Sequence, residues 1–218
     1  MVESASPAPR LSVVVPVHDE EANVDALVGE IARALRPVLP FEMLFVDDAS
    51  RDHTLEVLRA LKHRYPELRV LRHHAQCGQS TAVHTGVRAA RADWIATLDG
   101  DGQNDPADLP ALLAARDRAS AEVRLLQGWR TTRKDSWTKR VSSSIANAVR
   151  SRLLGDATPD TGCGIRLVER AVFLELPYFD HMHRFLPALV RRAGYAVQSV
   201  PVSHRPRQGG RSKYGVWN

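Results

Sequence analysis

The chain has 218 residues, 44% of them hydrophobic and 25% charged, with a formal net charge of +5. That composition is ordinary for a soluble globular protein of one large domain or two small ones. It excludes a membrane-spanning helix, because no apolar run approaches ~18 residues. The excess of Lys and Arg over Asp and Glu points to an anionic partner such as a nucleotide, a phospholipid surface or nucleic acid.

Met1–Arg10 is rich in Pro, Ala and Ser and lacks the apolar core of a secretory signal, so it reads as a frayed tail. Leu11–Val17 is a continuous apolar run, which suits a strand buried on both faces of a parallel sheet. Pro16 has no N–H for a ladder, so the strand is expected to end near it. Val24, Leu27, Val28, Ile31 and Leu35 then recur at helical spacing, and that helix stops before Pro37. Phe41–Val46 reads as a second strand. Ser50 or Asp52 is placed to cap the next helix, which carries Leu55, Val57, Leu58 and Leu61. A third strand over Leu68–Leu71, a loop over His73–Gly78 and a helix over Ser80–Ala90 lead to a fourth strand, Trp94–Leu98. Asp105-Pro106 opens another helix, with proline at its favoured first position.

The second half is less regular. Val123–Gln127 reads as a strand followed by Gly128-Trp129-Arg130. From Ser136 to Leu154, Trp137, Val141, Ile145, Ala148, Val149 and Leu153 form one apolar stripe, accompanied by Lys139, Arg140, Arg150 and Arg152. That helix either packs on the sheet or lies on a membrane surface. Thr161-Gly162-Cys163-Gly164 is a turn feeding Ile165–Val168. Phe173–Phe179 and Phe185–Val190 supply apolar surface around Asp180-His181-Met182-His183. His181 and His183 have no third ligand nearby in sequence, so a polar loop is preferred to a metal site. Tyr195–Val202 is a last strand, and the segment from His204 to Tyr214 reads as a basic, flexible tail. Cys77 and Cys163 lie far apart and in no metal-ligand spacing, which suits a reducing compartment without a disulfide.

Strand and helix alternate with short connections through the first half, the pattern of a doubly wound α/β sheet. Ligands of such sheets bind beyond the carboxyl ends of the strands. Here those ends read Pro16-Val17-His18-Asp19-Glu20, Asp47-Asp48 and Asp99-Gly100-Asp101. In extended backbone residues i and i+2 share a side, so Asp99 and Asp101 can face one point. Two close carboxylates repel, and a hard divalent cation, Mg²⁺ or Mn²⁺, relieves that repulsion. Gly100 and Gly102 keep the backbone low and leave room for a phosphorylated ligand. The bland alternative is a solvated Asp/Gly turn. No G-x-G-x-x-G follows the first strand and no Walker-type Gly-Lys-Ser/Thr is present. Cys77-Gly78-Gln79-Ser80, opening a helix, is the nearest approach to a phosphate turn.

Taken together and in order, these motifs resemble family 2 glycosyltransferases, and within them the dolichyl- and polyprenyl-phosphate type. "VVVPVHDEEANV", "FVDDAS", "LDGDGQNDP", "GWR", "DTGCGIRL" and "RQGGRSKYG" carry the resemblance, which extends from Leu11 to Tyr214. It implies a glycosyltransferase A-type nucleotide-diphospho-sugar transferase fold, α/β, with a Rossmann-like, mostly parallel central sheet flanked by helices. By the same resemblance Asp99, Asp101 and Gln103 hold the divalent metal. Pro16, His18 and Glu20, with Asp47, Asp48, Gln79 and Asp99, bind the nucleotide. Asp101, through the metal, and Arg130, Arg207 and Lys213, by binding the phosphates of lipid and donor, are the residues it assigns to catalysis. His18 stands where the family has tyrosine, Gln79 where relatives often have lysine, and Gly102 where a larger apolar residue is usual.

The resemblance divides the chain into a tail (1–10), a catalytic domain (11–203) and a basic C-terminal loop (204–218). The catalytic domain has a nucleotide-binding half to about residue 104 and an acceptor half beyond it. The implied reaction is inverting transfer of a sugar from a UDP- or GDP-linked donor to undecaprenyl or dolichyl phosphate. Its expected place is the cytoplasmic face of a membrane. Many members continue past such a tail into transmembrane helices, so the chain is expected to be either part of an integral protein or peripheral. A homo-oligomer is compatible with all of this. A lipid monophosphate is already anionic and needs cations rather than a base. A sugar hydroxyl needs a base, for which Asp160 is the candidate, with a turn or cap as its plainer role. A saccharide or protein hydroxyl acceptor is therefore the second reading. A non-catalytic nucleotide- or polyanion-binding protein is the third; no nucleic acid is expected, because the aspartates repel it.

Overall fold

In the computed structural model, which describes residues 8–130, 160, 162–203 and 205, the first apolar run forms strand β1 (Leu11–Val17). Its Leu11, Val13, Val15 and Val17 enter one hydrophobic core and Val14 enters another on the opposite face. The run is continuous because both faces of the sheet are covered. The same holds for β2 (Phe41–Asp47), where Phe41, Met43 and Phe45 face one core and Leu44 the other. Burying each such side chain contributes about 1.5–3 kcal/mol.

Among the described residues β1 and β2 are joined by β3 (Leu68–Arg72), β4 (Trp94–Thr97), β5 (Val123–Arg130), β6 (Arg166–Glu169) and β7 (Ala196–Val202). The sheet order is β3-β2-β1-β4-β6-β5-β7. Pairings are parallel except for β6, which runs antiparallel to both β4 and β5. Helices α1 (Glu21–Leu35), α2 (Thr54–Leu61) and α4 (Leu109–Arg118) cover one face. Helices α3 (Gln79–Ala89), α5 (Arg170–Glu175) and α6 (Leu186–Arg192) cover the other. Helix α3 lies so close to the sheet that a Cβ on Gly86 would come 2.4 Å from Val14 Cγ1.

Strand β1 ends at Val17, one residue past Pro16, which stands opposite Val46 of β2; several later boundaries differ from the sequence reading. Pairing of β1 with β4 ends at Val14, so proline falls where only one neighbour runs alongside. Strand β5 continues through Gly128, Trp129 and Arg130, because β7 pairs with it as far as Val202. The segment after Asp105 starts with a 3₁₀ turn, Pro106–Asp108, in which the Asp105 side chain accepts the Ala107 N–H, before α4 begins. Asp52, not Ser50, serves the start of α2: its Oδ1 accepts the Thr54 N–H at 3.0 Å. Ser50 instead accepts the Asp19 N–H at 2.9 Å. The stripe from Ser136 to Leu154 lies outside the described residues.

Candidate active site

The parallel strands β1, β2 and β4 deliver their carboxyl ends to one edge of the sheet, and β5 delivers Arg130 there. The reversed direction of β6 adds its first residue, Arg166, which pairs across to Thr97 of β4 and Gln127 of β5. Gly164, just before β6, sits against the end of β4, and its carbonyl accepts a hydrogen bond from Thr97 Oγ1 at 2.8 Å.

On the β1–β2 side, His18 is buried and its Nδ1 lies 2.8 Å from the Asp48 carbonyl oxygen. A carbonyl only accepts, so Nδ1 carries the proton. Asp19 adopts φ 51°, a left-handed turn that the Ser50 hydroxyl and the Arg51 N–H hold from across the strands. Glu20 is buried; its N–H donates to Thr54 Oγ1 and its Oε2 accepts from Asn23 Nδ2 at 2.6 Å. Asp47 is fully buried. Its Oδ1 accepts the Ser50 N–H, while its Oδ2 lies 3.6 Å from Arg72 Nε without a hydrogen bond. Asp48, also fully buried, accepts from His73 Nδ1 and from the Cys77 and Gly78 N–H groups, all at 2.8 Å. Its carboxylate thus fixes the loop from His73 to Gly78. Pro16 lies beside Gly100, where a Cβ would meet its carbonyl oxygen at 2.9 Å.

The β4 end carries the pair of carboxylates. Asp99 Oδ1 accepts from Gln79 Nε2 at 2.8 Å, and the Asp99 N–H donates to Asn104 Oδ1 at 2.9 Å. Asp99 retains a little exposed surface but is ringed by protein. Burial first, and then the neighbouring Asp101, push its pKa up to about 6, against the pull of Arg166 and Gln79. Asp101 Oδ1 accepts the Gln103 N–H at 3.1 Å, which closes the turn, and Gly102 takes φ 72° within it. A Cβ on Gly164 would approach Asp99 Oδ2 to 2.0 Å, so glycine is needed for the carboxylate to occupy its place. Two neighbouring carboxylates offering only oxygen donors, with the Asp99 pKa raised, form a donor set that fits a hard divalent cation.

Arg130 is held in place by an acid. Its Nε and Nη2 donate to Asp160 Oδ2 and Oδ1 at 2.7 and 2.9 Å, a bidentate pair that raises the guanidinium pKa further. Asp160 Oδ1 also accepts the Gly162 N–H at 3.2 Å. The candidate base of the sequence reading is therefore buried and neutralised.

Two residues in this edge escaped the sequence reading. Arg166 is buried and its Nε donates to Gln127 Oε1 at 2.9 Å. Burial pulls its pKa down while Asp99 opposes that pull. His183 lies with its Nδ1 2.7 Å from Ser80 Oγ. Burial, then the charge of Arg166, pushes its pKa down to about 3, so it is neutral at physiological pH. A cavity of about 350 Å³ brings Gln79, Asp99, Arg166, His183 and Arg184 together. The G-x-R order in "DTGCGIRL" was the signal for Arg166; nothing local marked His183, whose partner is 103 residues away. The expected His181–His183 loop is polar as read, and their rings sit 6.2 Å apart. A larger groove of about 890 Å³ lies at the opposite edge, among Pro37, Leu39, Pro40, Phe41 and Pro66. The charges on it close on each other as Arg36–Glu67 and Arg69–Glu42, and no strand end with paired carboxylates reaches it.

The tail begins less freely than its composition suggested. Arg205 donates through Nε to Asp105 and through Nη1 to Glu30, and its N–H reaches the Gln103 carbonyl at 3.1 Å. The chain thus leaves for its basic end from beside the Asp101–Gln103 turn. Arg207 and Lys213 lie outside the described residues.

Comparison with known proteins follows this geometry closely. The family described as Glycosyl transferase family 2 matches residues 12–176. A dodecaprenyl-phosphate galacturonate synthase of Rhizobium johnstonii is 37% identical over 213 residues, 94% of this chain and 62% of that protein. An undecaprenyl-phosphate 4-deoxy-4-formamido-L-arabinose transferase of Edwardsiella ictaluri is 31% identical over 209 residues, covering 94% and 63%. The chain therefore spans less than two thirds of the length of these curated relatives. Among solved structures, a Pyrobaculum calidifontis mannosyltransferase in complex with GDP-Man and Mn²⁺ superposes with a TM-score of 0.70 at 19% identity, covering 94% of this chain and 59% of that one. Glucosyl-3-phosphoglycerate synthase of Mycobacterium tuberculosis, with Mn²⁺ and UDP-Glc, gives a TM-score of 0.68 at 19% identity, covering 94% and 73%. The fold is that of the glycosyltransferase A type.

Proposed function

The chain belongs to glycosyl transferase family 2, and from that membership we propose that it moves a sugar from a nucleotide-sugar donor to a polyprenyl phosphate with inversion. The observation that carries the choice of acceptor is the Arg130–Asp160 pair. A hydroxyl acceptor needs a carboxylate free to take its proton. Asp160 is closed off instead by a bidentate guanidinium at 2.7 and 2.9 Å and by the Gly162 N–H. A lipid monophosphate is already anionic and needs only positive charge to hold it. Arg166 and Arg184 border the cavity beside Asp99. The two curated relatives, both named for polyprenyl-phosphate substrates or products, support the same class of acceptor.

On this reading His18, Glu20, Asp47 and Asp48 form the wall against which the nucleoside rests, and Gln79 keeps Asp99 aimed at the diphosphate. Asp99 and Asp101, with Gln103, would hold Mg²⁺ or Mn²⁺. Such an ion, when bound, neutralises the leaving diphosphate. Neutral His183 and buried Arg166 order the far side of the cavity. Arg207 and Lys213, outside the described residues, are the further cations that the family resemblance assigns to the phosphates of donor and lipid. Among the described residues no helix is long and apolar enough to cross a membrane. The domain meets its lipid acceptor at a membrane surface, on the cytoplasmic side where nucleotide-sugars are made. Asp101→Asn tests the arrangement. Transfer is expected to fall at least about 100-fold, as for loss of one preorganised charge-stabilising group, while the circular dichroism spectrum and unfolding transition stay unchanged. Full activity in that variant would remove the cation from the mechanism.

A further inference from the structure

The loop from His73 to Gly78 gathers a second and chemically different donor set. A carboxylate oxygen of Asp48, a ring nitrogen of His73 and the Cys77 Sγ all lie within 4.8 Å of one another, and His73 Nδ1 stands 2.8 Å from Asp48 Oδ1. We infer that these three residues form a site for a thiophilic divalent cation of the Zn²⁺ class, separate from the oxygen-only site of Asp99 and Asp101.

The surroundings already resemble the outer shell of a metal site. Asp48 is fully buried and its carboxylate is oriented by the Cys77 and Gly78 N–H groups. His73 has its other ring nitrogen 3.0 Å from Thr85 Oγ1. A hydroxyl can accept as well as donate, so Thr85 can hold Nε2–H and leave Nδ1 free to bind. His73 Nδ1 and Asp48 Oδ1 stand 2.8 Å apart with one proton between them. In the neutral ring a cation at Nδ1 moves that proton to Nε2, where Thr85 Oγ1 accepts it, and only the thiol proton of Cys77 leaves to solvent. Cys77 is exposed and holds only a 3.2 Å contact to the Ala75 carbonyl, so its side chain is free to turn inward. Mixed N, S and O donors suit zinc or cobalt(II), whereas Mg²⁺ avoids thiolate. Three protein ligands leave a fourth position of a tetrahedral ion for water or an added ligand. The loop runs directly into Gln79, which holds Asp99, so a bound ion would tether the segment that aims the first carboxylate.

The test is a Co²⁺ titration of the full chain in saturating Mg²⁺, read by thiolate-to-cobalt charge-transfer absorption. A band saturating at one equivalent is expected. It should persist in Asp101→Asn and disappear in Cys77→Ser and in His73→Gln. Absence of the band in the parent chain, or its survival in His73→Gln, overturns the site. A second reading needs no variant. Zn²⁺ should slow alkylation of Cys77 by iodoacetamide at least tenfold, with buried Cys163 unreacted throughout; an unchanged rate overturns the proposal.

Discussion

Asp99 and His183 border one cavity and are displaced in opposite senses. Burial and Asp101 raise Asp99 to about 6, whereas burial and Arg166 lower His183 to about 3. For His183 this has a consequence for stability. An unfolded histidine titrates near 6.5. Between about pH 6.5 and about 3 the unfolded chain binds a proton that the folded chain does not. Stability from this group is therefore complete above pH 6.5 and falls as the pH falls through that window, by at most about 1.4 kcal/mol per unit. His183→Gln can keep a hydrogen bond to Ser80 without titrating. Urea unfolding at pH 7 and pH 5 should show a smaller loss for the variant than for the parent, by about 2 kcal/mol at most. Equal losses would mean that His183 protonates freely in the folded protein. At this scale the sequence was most readable for residues at strand ends, such as His18, Asp48 and Asp99, because the strand itself announces where they stand. It was least readable for His183 and for the closure of Asp160 by Arg130, since those depend on partners distant in the chain.

At the scale of elements, the apolar runs Leu11–Val17 and Phe41–Val46 foretold buried strands because helices cover both faces of the sheet. The direction of β6 was not foretold, since hydrophobic pattern carries no direction. Its reversal is what brings Arg166 to the carboxylate edge. The seat of α3 depends on Gly86, where a Cβ would stand 2.4 Å from Val14 Cγ1 and 3.2 Å from Val46 Cγ2. Alanine is the better helix former by about 1 kcal/mol, but overpacking a core of this kind costs about 1–3 kcal/mol. Gly86→Ala should therefore lower the denaturation midpoint rather than raise it. A midpoint equal to or above that of the parent would show that α3 is not pressed against β1.

At the scale of the whole molecule, one edge of the sheet gathers, among the described residues, the carboxylates, the buried Arg166, the ion-paired Arg130 and the anchored Arg205. The other edge carries the proline-lined groove with its charges paired on themselves. That asymmetry was partly legible, since three acidic strand ends on one side of a parallel sheet have no other common purpose than a ligand. The anchoring of Arg205 to Glu30 and Asp105 was not, because a run of basic residues reads the same whether it is tethered or loose. The positive balance of the chain agrees with an anionic donor and an anionic acceptor meeting at this edge. The most direct test is a transfer assay with a panel of labelled nucleotide-sugars and polyprenyl phosphate in detergent, run with and without Mg²⁺ or Mn²⁺, beside a saccharide acceptor. The account predicts a polyprenyl-phosphate sugar that forms from one donor and only with the metal. Product on the saccharide hydroxyl alone, or lipid product formed equally without metal, would contradict it.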